Sequence, residues 1–200
     1  MTEHYYSKKT DKASDRKVWT SVLRGRSFTF CSDHAVFSKN GVDFGSRVLI
    51  DSFEFPDLDG DLLDVGCGYG PIRLALAKEA PSREVVMVDV NDRALELAAV
   101  NAEKNGVTNV DILESDGAAA VKDRSFAAVL TNPPIRAGKE VVHRIFEDAS
   151  KVLKENGELW VVIQKKQGAP SAEKKMKELF QDVHLVKKVK GYYIYKAKKV

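Results

Sequence analysis

The residues of this chain that are best suited to chemistry fall in two short segments. The first is Asp64-Val-Gly-Cys-Gly-Tyr-Gly70, and the second is Asn132-Pro-Pro-Ile135. Glycines at three alternate positions of the first segment would let the backbone pass close beneath a ligand, where a Cβ would collide. A dinucleotide-binding turn has its third glycine three residues after the second, and that position here is Pro71. The spacing therefore argues against a pyrophosphate cofactor.

Acidic residues beside the first segment indicate the kind of ligand. Asp64 lies just before the glycines, and a carboxylate there favours a cationic ligand such as the amino group or sulfonium of S-adenosylmethionine. Asp89 ends the next apolar run, where a carboxylate can accept from both hydroxyls of a ribose. Alternatively, Asp64 is only a strand-end acid, and Asp89 only caps the next helix, for which Asn91 is better placed. We expect S-adenosylmethionine as the cofactor, and the residues expected to bind it are Asp64, Gly66, Gly68, Gly70, Asp89 and Asn91.

Asn132-Pro133-Pro134 presents an amide beside two rigid rings. Asn-Pro is a common turn former, so a purely structural role is the alternative. The segment closes an apolar run, however, and open α/β sheets bind ligands at the carboxyl ends of their strands. If the Asn132 side-chain oxygen and the Pro133 carbonyl accept both hydrogens of an exocyclic amine, the nitrogen lone pair points at the methyl group. Because the prolines hold those acceptors rigidly, we predict methyl transfer to nitrogen, with Asn132, Pro133 and Pro134 as catalytic residues.

Strands and helices alternate from residue 61 onward, which is typical of a parallel sheet covered by helices. The predicted strands are Asp61–Val65, Glu84–Asp89, Val110–Glu114, Phe126–Thr131, Glu158–Ile163, Val183–Val189 and Tyr192–Tyr195. The predicted helices are Pro71–Glu79, one capped by Asn91 and ended by Asn105-Gly106, Lys139–Leu153 closed by Asn156-Gly157, and one ending at Phe180. The last two strands are joined too tightly for a parallel crossover, so they must be antiparallel. We expect an α/β fold with a doubly wound, mostly parallel sheet of seven strands and an antiparallel strand near the C-terminus.

Residues 1–57 are expected to form a small α/β extension packed on a domain of residues 58–200. The elements predicted within it are the strands Ser27–Phe30 and Ala35–Phe37 and the helix Gly45–Phe53. The extension is either a simple cap or, in the functional interpretation, a segment that places Phe44-Gly-Ser46 in the cofactor pocket. Periodicity does not separate the two.

Charge is distributed unevenly along the chain. Residues 58–163 carry 12 Lys/Arg against 18 Asp/Glu, whereas residues 164–200 carry 11 against 3. A basic C-terminal part on an acidic core favours contact with a polyanion, although the same lysines could simply solvate a surface. We therefore expect RNA as a partner and take Lys165 and Lys166 as substrate-binding candidates.

The remaining composition excludes other classes of protein. The chain is 44% apolar and 30% charged, which is ordinary for a globular protein. No uncharged apolar run approaches the ~18 residues that a membrane span needs. Cys31 and Cys67 have no metal-ligand spacing and fit two free thiols in a reducing compartment. We expect a cytoplasmic protein without a metal or a membrane contact, and leave open whether it is a monomer or a homodimer.

The motifs taken together resemble those of class I S-adenosylmethionine-dependent methyltransferases. The segments that carry this resemblance are Asp64–Gly70, Val88–Leu95, Ser115–Gly117 and Thr131–Pro134. Val42–Ser46 and the Gly157–Trp160 strand more narrowly resemble the small-subunit ribosomal RNA guanine-N2 methyltransferases, over roughly residues 27–197. That family usually has an aromatic residue and a histidine where this chain has Ile135 and Arg136. Its best-known members also carry a duplicated, inactive half, so we expect the catalytic half alone.

The resemblance implies further site residues. Asp116 would accept a hydrogen bond from the adenine amino group of the cofactor, although Asp-Gly is also a simple turn sequence. Gly45 would lie at the cofactor, and Ile135 and Arg136 at the substrate. The implied function is methylation of a guanine N2 amine in ribosomal RNA. The alternatives are methylation of a protein glutamine or of adenine N6, and, in a different class, a non-catalytic RNA-binding factor in ribosome assembly.

The glycine spacing predicts which cofactor binds. Because the third glycine falls at Gly70 and Asp64 precedes the turn, S-adenosylmethionine should bind to the purified protein and NAD should not. Titration calorimetry with each ligand measures the two affinities. Binding of NAD without binding of S-adenosylmethionine would contradict the assignment of the turn.

Overall fold

The computed structural model describes residues 15–33 and 41–200. The strands in this part of the chain are β1 (Lys17–Leu23), β2 (Arg26–Ser32), β3 (Leu62–Val65), β4 (Val85–Asp89), β5 (Val110–Glu114), β6 (Phe126–Thr131), β7 (Leu153–Gln164), β8 (Asp182–Val189) and β9 (Tyr192–Lys198). The helices are α1 (Phe44–Ser52), α2 (Pro71–Glu79), α3 (Asp92–Lys104), α4 (Lys139–Val152) and α5 (Ala169–Leu179).

The main sheet has seven strands in the order β5-β4-β3-β6-β7-β9-β8. The neighbours from β5 to β7 pair in parallel, whereas β9 is antiparallel to both β7 and β8. The expected doubly wound, mostly parallel fold is therefore confirmed. The chain proceeds from β3 to β4 on one side and later returns to place β6 on the other, so a crevice opens at the carboxyl ends of these three strands.

Both faces of the sheet are covered, which explains the continuous apolar runs of its central strands. Alternate residues of β3 and β4 pack on opposite sides. Leu62 and Met87 lie in the cluster with α1, α2 and α3, whereas Leu63 and Val88 lie in the cluster with α4 and α5. A charge on either face of these strands would therefore be buried.

A separate hairpin of β1 and β2 packs on the α1–α3 side. The sequence predicted only Ser27–Phe30 here, and β2 extends beyond both ends of that segment. The partner strand β1 was not predicted, because its solvent-facing side carries Val18 and Val22, each 61% exposed, so the two faces do not alternate clearly. The predicted strand Ala35–Phe37 lies outside the described residues.

One buried amide joins this hairpin to the main domain. The Asn101 side-chain oxygen accepts from the Cys31 N–H at 2.6 Å, and its Nδ2 donates to the carbonyls of Cys31 and Tyr69 at 2.9 and 2.8 Å. Asn101 therefore ties β2 to the glycine turn through α3. The division between residues 57 and 58 stays a prediction, since the hairpin and α1 share one apolar cluster with α2 and α3.

Several element boundaries differ from the sequence expectation, and the largest difference is between α4 and β7. Helix α4 ends at Val152, and Leu153 already pairs with Phe126 in the sheet. Asn156-Gly157, expected to close the helix, instead lies in an irregular stretch of β7, where Asn156 has a φ of 65°. There the Asn156 N–H bonds to the carbonyl of Lys199, just past the end of β9, at 2.7 Å, a partner that local sequence does not reveal.

Two negative findings hold for residues 15–33 and 41–200. None of the helices there is long and apolar enough to cross a bilayer. The same residues also contain no group of three His, Cys, Asp or Glu side chains arranged to hold a metal ion.

Candidate active site

A cavity lies at the carboxyl ends of β3, β4 and β6, and the glycine turn after β3 is part of its wall. The N–H groups of Gly66 and Cys67 bond to the Val88 carbonyl at 2.9 and 3.0 Å, which holds the turn against β4. Gly66 and Gly68 have φ angles of +75° and +57°, and nothing lies within 4 Å of the point that a Cβ would occupy at either residue. The positive φ favours glycine at both positions, and the open space above them leaves room for a ligand.

Asp89 and Asn91 form the next part of the wall, after β4. The Asp89 carboxylate accepts the Gly68 N–H on Oδ2 and the Asn91 N–H on Oδ1, both at 2.9 Å. Each oxygen has a further lone pair, so the group can also accept two hydroxyl donors. Burial raises the pKa of Asp89, and these backbone N–H groups oppose that shift. The expected capping role of Asn91 is confirmed, since its Oδ1 accepts from the Ala94 N–H at 3.1 Å.

Asp64 does not line the cavity but lies beneath it, fully buried. Its Oδ2 is 3.8 Å from the Nε of Arg73, which is also fully buried, and Arg73 donates to the Leu63 carbonyl. Burial raises the pKa of Asp64 to about 6 although Arg73 opposes this, and burial lowers the pKa of Arg73 to about 10. At 3.8 Å the pair is an ion contact rather than a hydrogen bond, and neither Asp64 oxygen has a hydrogen-bond partner among the described residues.

Asn132 stands at the end of β6, beside the glycine turn. The Thr131 hydroxyl, fully buried, donates to the Val65 carbonyl at 2.8 Å and so fixes the end of β6 to the end of β3. Asn132 and the two prolines after it line the cavity, followed by Ile135 and Arg136. The sequence-predicted catalytic and substrate-binding residues of this segment therefore lie in one wall.

The side chain of Asn132 is held by helix α1. Its Nδ2 lies 3.1 Å from Ser46 Oγ and 3.3 Å from Asp43 Oδ2. The same Asp43 oxygen accepts the Ser46 N–H at 3.0 Å and caps the helix. Asp43 and Ser46 also line the cavity. Sequence reasoning placed Ser46 near the pocket but missed Asp43, although an acid three residues before a helical serine is a capping signal.

The opposite wall comes from β7 and β9, and sequence reasoning missed it altogether. Gln164, Gln167 and Tyr192 line the cavity there. A Cβ on Gly45 would lie 2.8 Å from the Tyr192 ring, so glycine at this position lets the ring approach α1. Gly45 thus adjoins the cavity wall without lining it, and its predicted position at the cofactor stays a prediction. These residues carried no local motif, because strand pairing alone brings them to the site.

Other candidates lie away from the cavity wall. Asp116 is on the surface, where its Oδ1 accepts from Arg144 Nη2 at 2.6 Å. Lys165 and Lys166 are exposed on a short 3₁₀ turn between Gln164 and Gln167. The contacts predicted for Asp64, Gly70, Asp116 and these lysines stay predictions. Burial raises the pKa of Cys67 well above its ordinary value, so its thiol stays protonated and is a poor nucleophile.

A sheet of this order, with a glycine turn after β3 and an Asn-Pro-Pro segment after β6, defines a Rossmann-like class I methyltransferase. Residues 27–196 match the model of the methyltransferase small domain family. The chain belongs to that family, as the sequence resemblance led us to expect.

Comparison with individual proteins agrees with this membership. The chain is 60% identical over 201 residues to the uncharacterized protein YbxB of Bacillus subtilis, covering 100% of both. It is 40% identical over 132 residues to the ribosomal RNA small subunit methyltransferase C of Hahella chejuensis, which is 64% of this chain and 37% of that protein. The structure of the T. thermophilus 16S rRNA N2 G1207 methyltransferase, in complex with AdoMet and guanosine, matches with a TM-score of 0.83 at 25% identity. That match covers 92% of this chain and 51% of the T. thermophilus chain, so this chain spans about half of its length.

Because Asp64 and Arg73 form a buried pair, the loss of stability on removing the Arg73 charge should depend on pH. Arg73→Met leaves Asp64 without a counter-charge, which should lower the free energy of unfolding by about 3–5 kcal/mol at pH 8. The folded-state pKa of Asp64, about 6 against an ordinary 3.8, should rise further in the variant. Folding then favours the protonated acid, so at pH 5 Asp64 is neutral and the loss should be smaller.

Urea unfolding at the two pH values measures this difference. Arg83→Met is the matched control, because Arg83 donates to the carbonyls of Pro56, Leu58 and Gly60. This substitution should lower the free energy of unfolding by the same amount at both pH values. An equal loss at pH 5 and pH 8 for Arg73→Met would refute the charge coupling.

Proposed function

We propose that this chain transfers the methyl group of S-adenosylmethionine to the exocyclic N2 amine of a guanine in ribosomal RNA. S-adenosylmethionine is the cofactor of this methyltransferase family and supplies, when bound, an electrophilic methyl group on a sulfonium. The observation that carries the proposal is the position of Asn132, whose amide lines the same cavity as the glycine turn and Asp89.

The residues of the cavity fit this cofactor. Open space above Gly66 and Gly68 leaves room for it against the turn. The Asp89 carboxylate keeps acceptor capacity on both oxygens, which suits the two ribose hydroxyls. The spacing that argues against a pyrophosphate agrees with this arrangement.

Asn132 has the role of holding the target amine. Because its Nδ2 bonds to Asp43 and Ser46, its oxygen is directed away from α1 and available to accept from an amine in the cavity. With the Pro133 carbonyl as a second acceptor, the amine lone pair would be directed at the methyl group. A new N–C bond forms as the S–C bond breaks, and S-adenosylhomocysteine leaves. The methylated nitrogen then loses its extra proton to water without a strong base.

Charge at the mouth of the cavity favours RNA as the substrate. The Lys165 N–H bonds to the Gly191 carbonyl at 2.8 Å, so the turn with Lys165 and Lys166 adjoins the turn between β8 and β9. We call these two turns, together with the end of β8, the basic rim; its exposed lysines are Lys165, Lys166, Lys187, Lys188 and Lys190. Gln167 in the first turn lines the cavity, as do Gln164 and Tyr192 at the adjoining ends of β7 and β9, so the rim borders the proposed site. A ribosomal RNA substrate also implies a cytoplasmic protein.

Removing the Asn132 amide tests the reaction. Asn132→Ala should lower single-turnover methylation of unmodified ribosomal RNA by ~10²–10³, the usual effect of deleting one preorganised electrostatic group. Affinity for S-adenosylmethionine, measured by calorimetry, should stay within a few fold because Asp89 and the glycine turn are unchanged. A wild-type rate in this variant would show that Asn132 is only a turn residue. Mapping the methylated nucleotide would separate guanine N2 from adenine N6.

Reversing the charge of the basic rim tests the substrate. Wild-type affinity for ribosomal RNA should fall steeply with salt, and changing the five rim lysines to glutamate should flatten the log–log slope by roughly 0.7–0.9 per lost phosphate contact. The matched control reverses Lys104 and Lys151, which are exposed near the C-terminal ends of α3 and α4, at the opposite edge of the sheet. An unchanged slope in the rim variant would mean that its lysines only solvate the surface.

A further inference from the structure

We propose that Asp43 and Ser46 are positioning residues that fix the orientation of the Asn132 amide for catalysis. This inference rests on the proposed role of Asn132 as the acceptor for the target amine. An asparagine amide has two nearly isosteric ends, and only one of them can accept hydrogen bonds. In the reversed orientation an NH₂ group would point at the amine hydrogens and repel them.

Asp43 supplies the decisive constraint on that choice. A carboxylate can only accept, so the end of the Asn132 amide 3.3 Å from Asp43 Oδ2 must be the donor. Reversal would bring two oxygens together at that distance. Since Asp43 Oδ2 is itself fixed by the Ser46 N–H at 3.0 Å, its position does not depend on Asn132.

Ser46 completes the arrangement from the first turn of α1. Its Oγ lies 3.1 Å from the same Nδ2, so both amide hydrogens have a partner. Ser46 is only 4% exposed, so water competes little for its hydrogen bond to the Asn132 amide. Asp43 and Ser46 thus act on the reaction through Asn132. The residue that caps α1 also orients the Asn132 amide.

The N-terminal segment therefore has a defined task in the reaction. Asp43 and Ser46 precede the glycine turn in sequence, yet their side chains meet Asn132 across 86 to 89 residues of chain. The sequence-based interpretation placed Phe44-Gly-Ser46 in the cofactor pocket; of these three residues only Ser46 lines the cavity, together with Asp43.

Single-turnover methylation of unmodified ribosomal RNA tests the proposal through Ser46→Ala. This variant keeps the Asp43 cap and should lower the rate about 3- to 10-fold, the effect of losing one hydrogen bond. The double variant Asp43→Ala/Ser46→Ala should approach the loss seen in Asn132→Ala. The half-saturating concentration of S-adenosylmethionine should stay within about two-fold of wild type in both.

Ser52→Ala is the matched control on the same helix, because the Ser52 hydroxyl is buried and has no hydrogen-bond partner among the described residues. It should leave the rate unchanged. Equal rates for the double variant Asp43→Ala/Ser46→Ala and wild type would overturn the proposal.

A double-mutant cycle separates positioning from a general effect on folding. If Ser46 and Asp43 act only through Asn132, their replacement in an Asn132→Ala background should cause no further loss of rate. Losses that multiply in that background would refute the inference while leaving the proposed function intact. A wild-type rate for Asn132→Ala alone would refute the proposed role of Asn132 first, so the two failures are distinguishable.

Discussion

The parallel pairing of β3 with β4 on one side and β6 on the other is the constraint on which the site depends. Parallel strands end at the same edge, and each of these strands is followed by a loop with a different task. The glycine turn, Asp89 and Asn132 lie far apart in sequence but adjoin in space because of this register. The hydrogen bond from the Thr131 hydroxyl to the Val65 carbonyl fixes the last of the three loops to the first.

Burial on both faces makes that register stable and restricts what can lie beneath the site. Apolar side chains of β3 and β4 fill two separate clusters, one on each side of the sheet. Asp64 is the exception, since its carboxylate is buried under the glycine turn, and within residues 15–33 and 41–200 Arg73 is its sole counter-charge. Burying such a pair seldom adds to stability, because the cost of desolvation rivals the attraction between the charges. Its position directly under the turn is consistent with a role for charge near the ligand rather than with a gain in stability.

The N-terminal part of the chain packs on the core and also contributes residues to the cavity wall. Helix α1 contributes Asp43 and Ser46 to the cavity, and Gly45 leaves space for Tyr192 from the far end of the chain. The Asp89 and Asn132 side chains are each held in place by hydrogen bonds to other residues of the cavity wall, which makes this part of the site rigid. Rigidity is what transition-state stabilisation by fixed dipoles requires, since no reorganisation is then needed during the reaction.

Local sequence determined the elements and the motifs. The periods of apolar residues predicted α2, β5 and β6 with their observed bounds, and Pro71 after Gly70 marked the start of a helix. The local sequence also predicted the cofactor, S-adenosylmethionine, from the spacing of the glycines, and it predicted the fold from the alternation of strands and helices. These features are encoded within a few residues of one another.

Only the tertiary structure decided the rest. The pairing of β7 with β9 brought Gln164 and Tyr192 to the cavity, and the packing of α1 brought Asp43 to Asn132. The irregular start of β7 at Asn156-Gly157 likewise depends on Lys199, just past the end of the neighbouring strand. Such contacts join residues that are distant in sequence, and their energy depends on the distance and orientation reached after folding. A single sequence records the residue types involved but not which of them will meet.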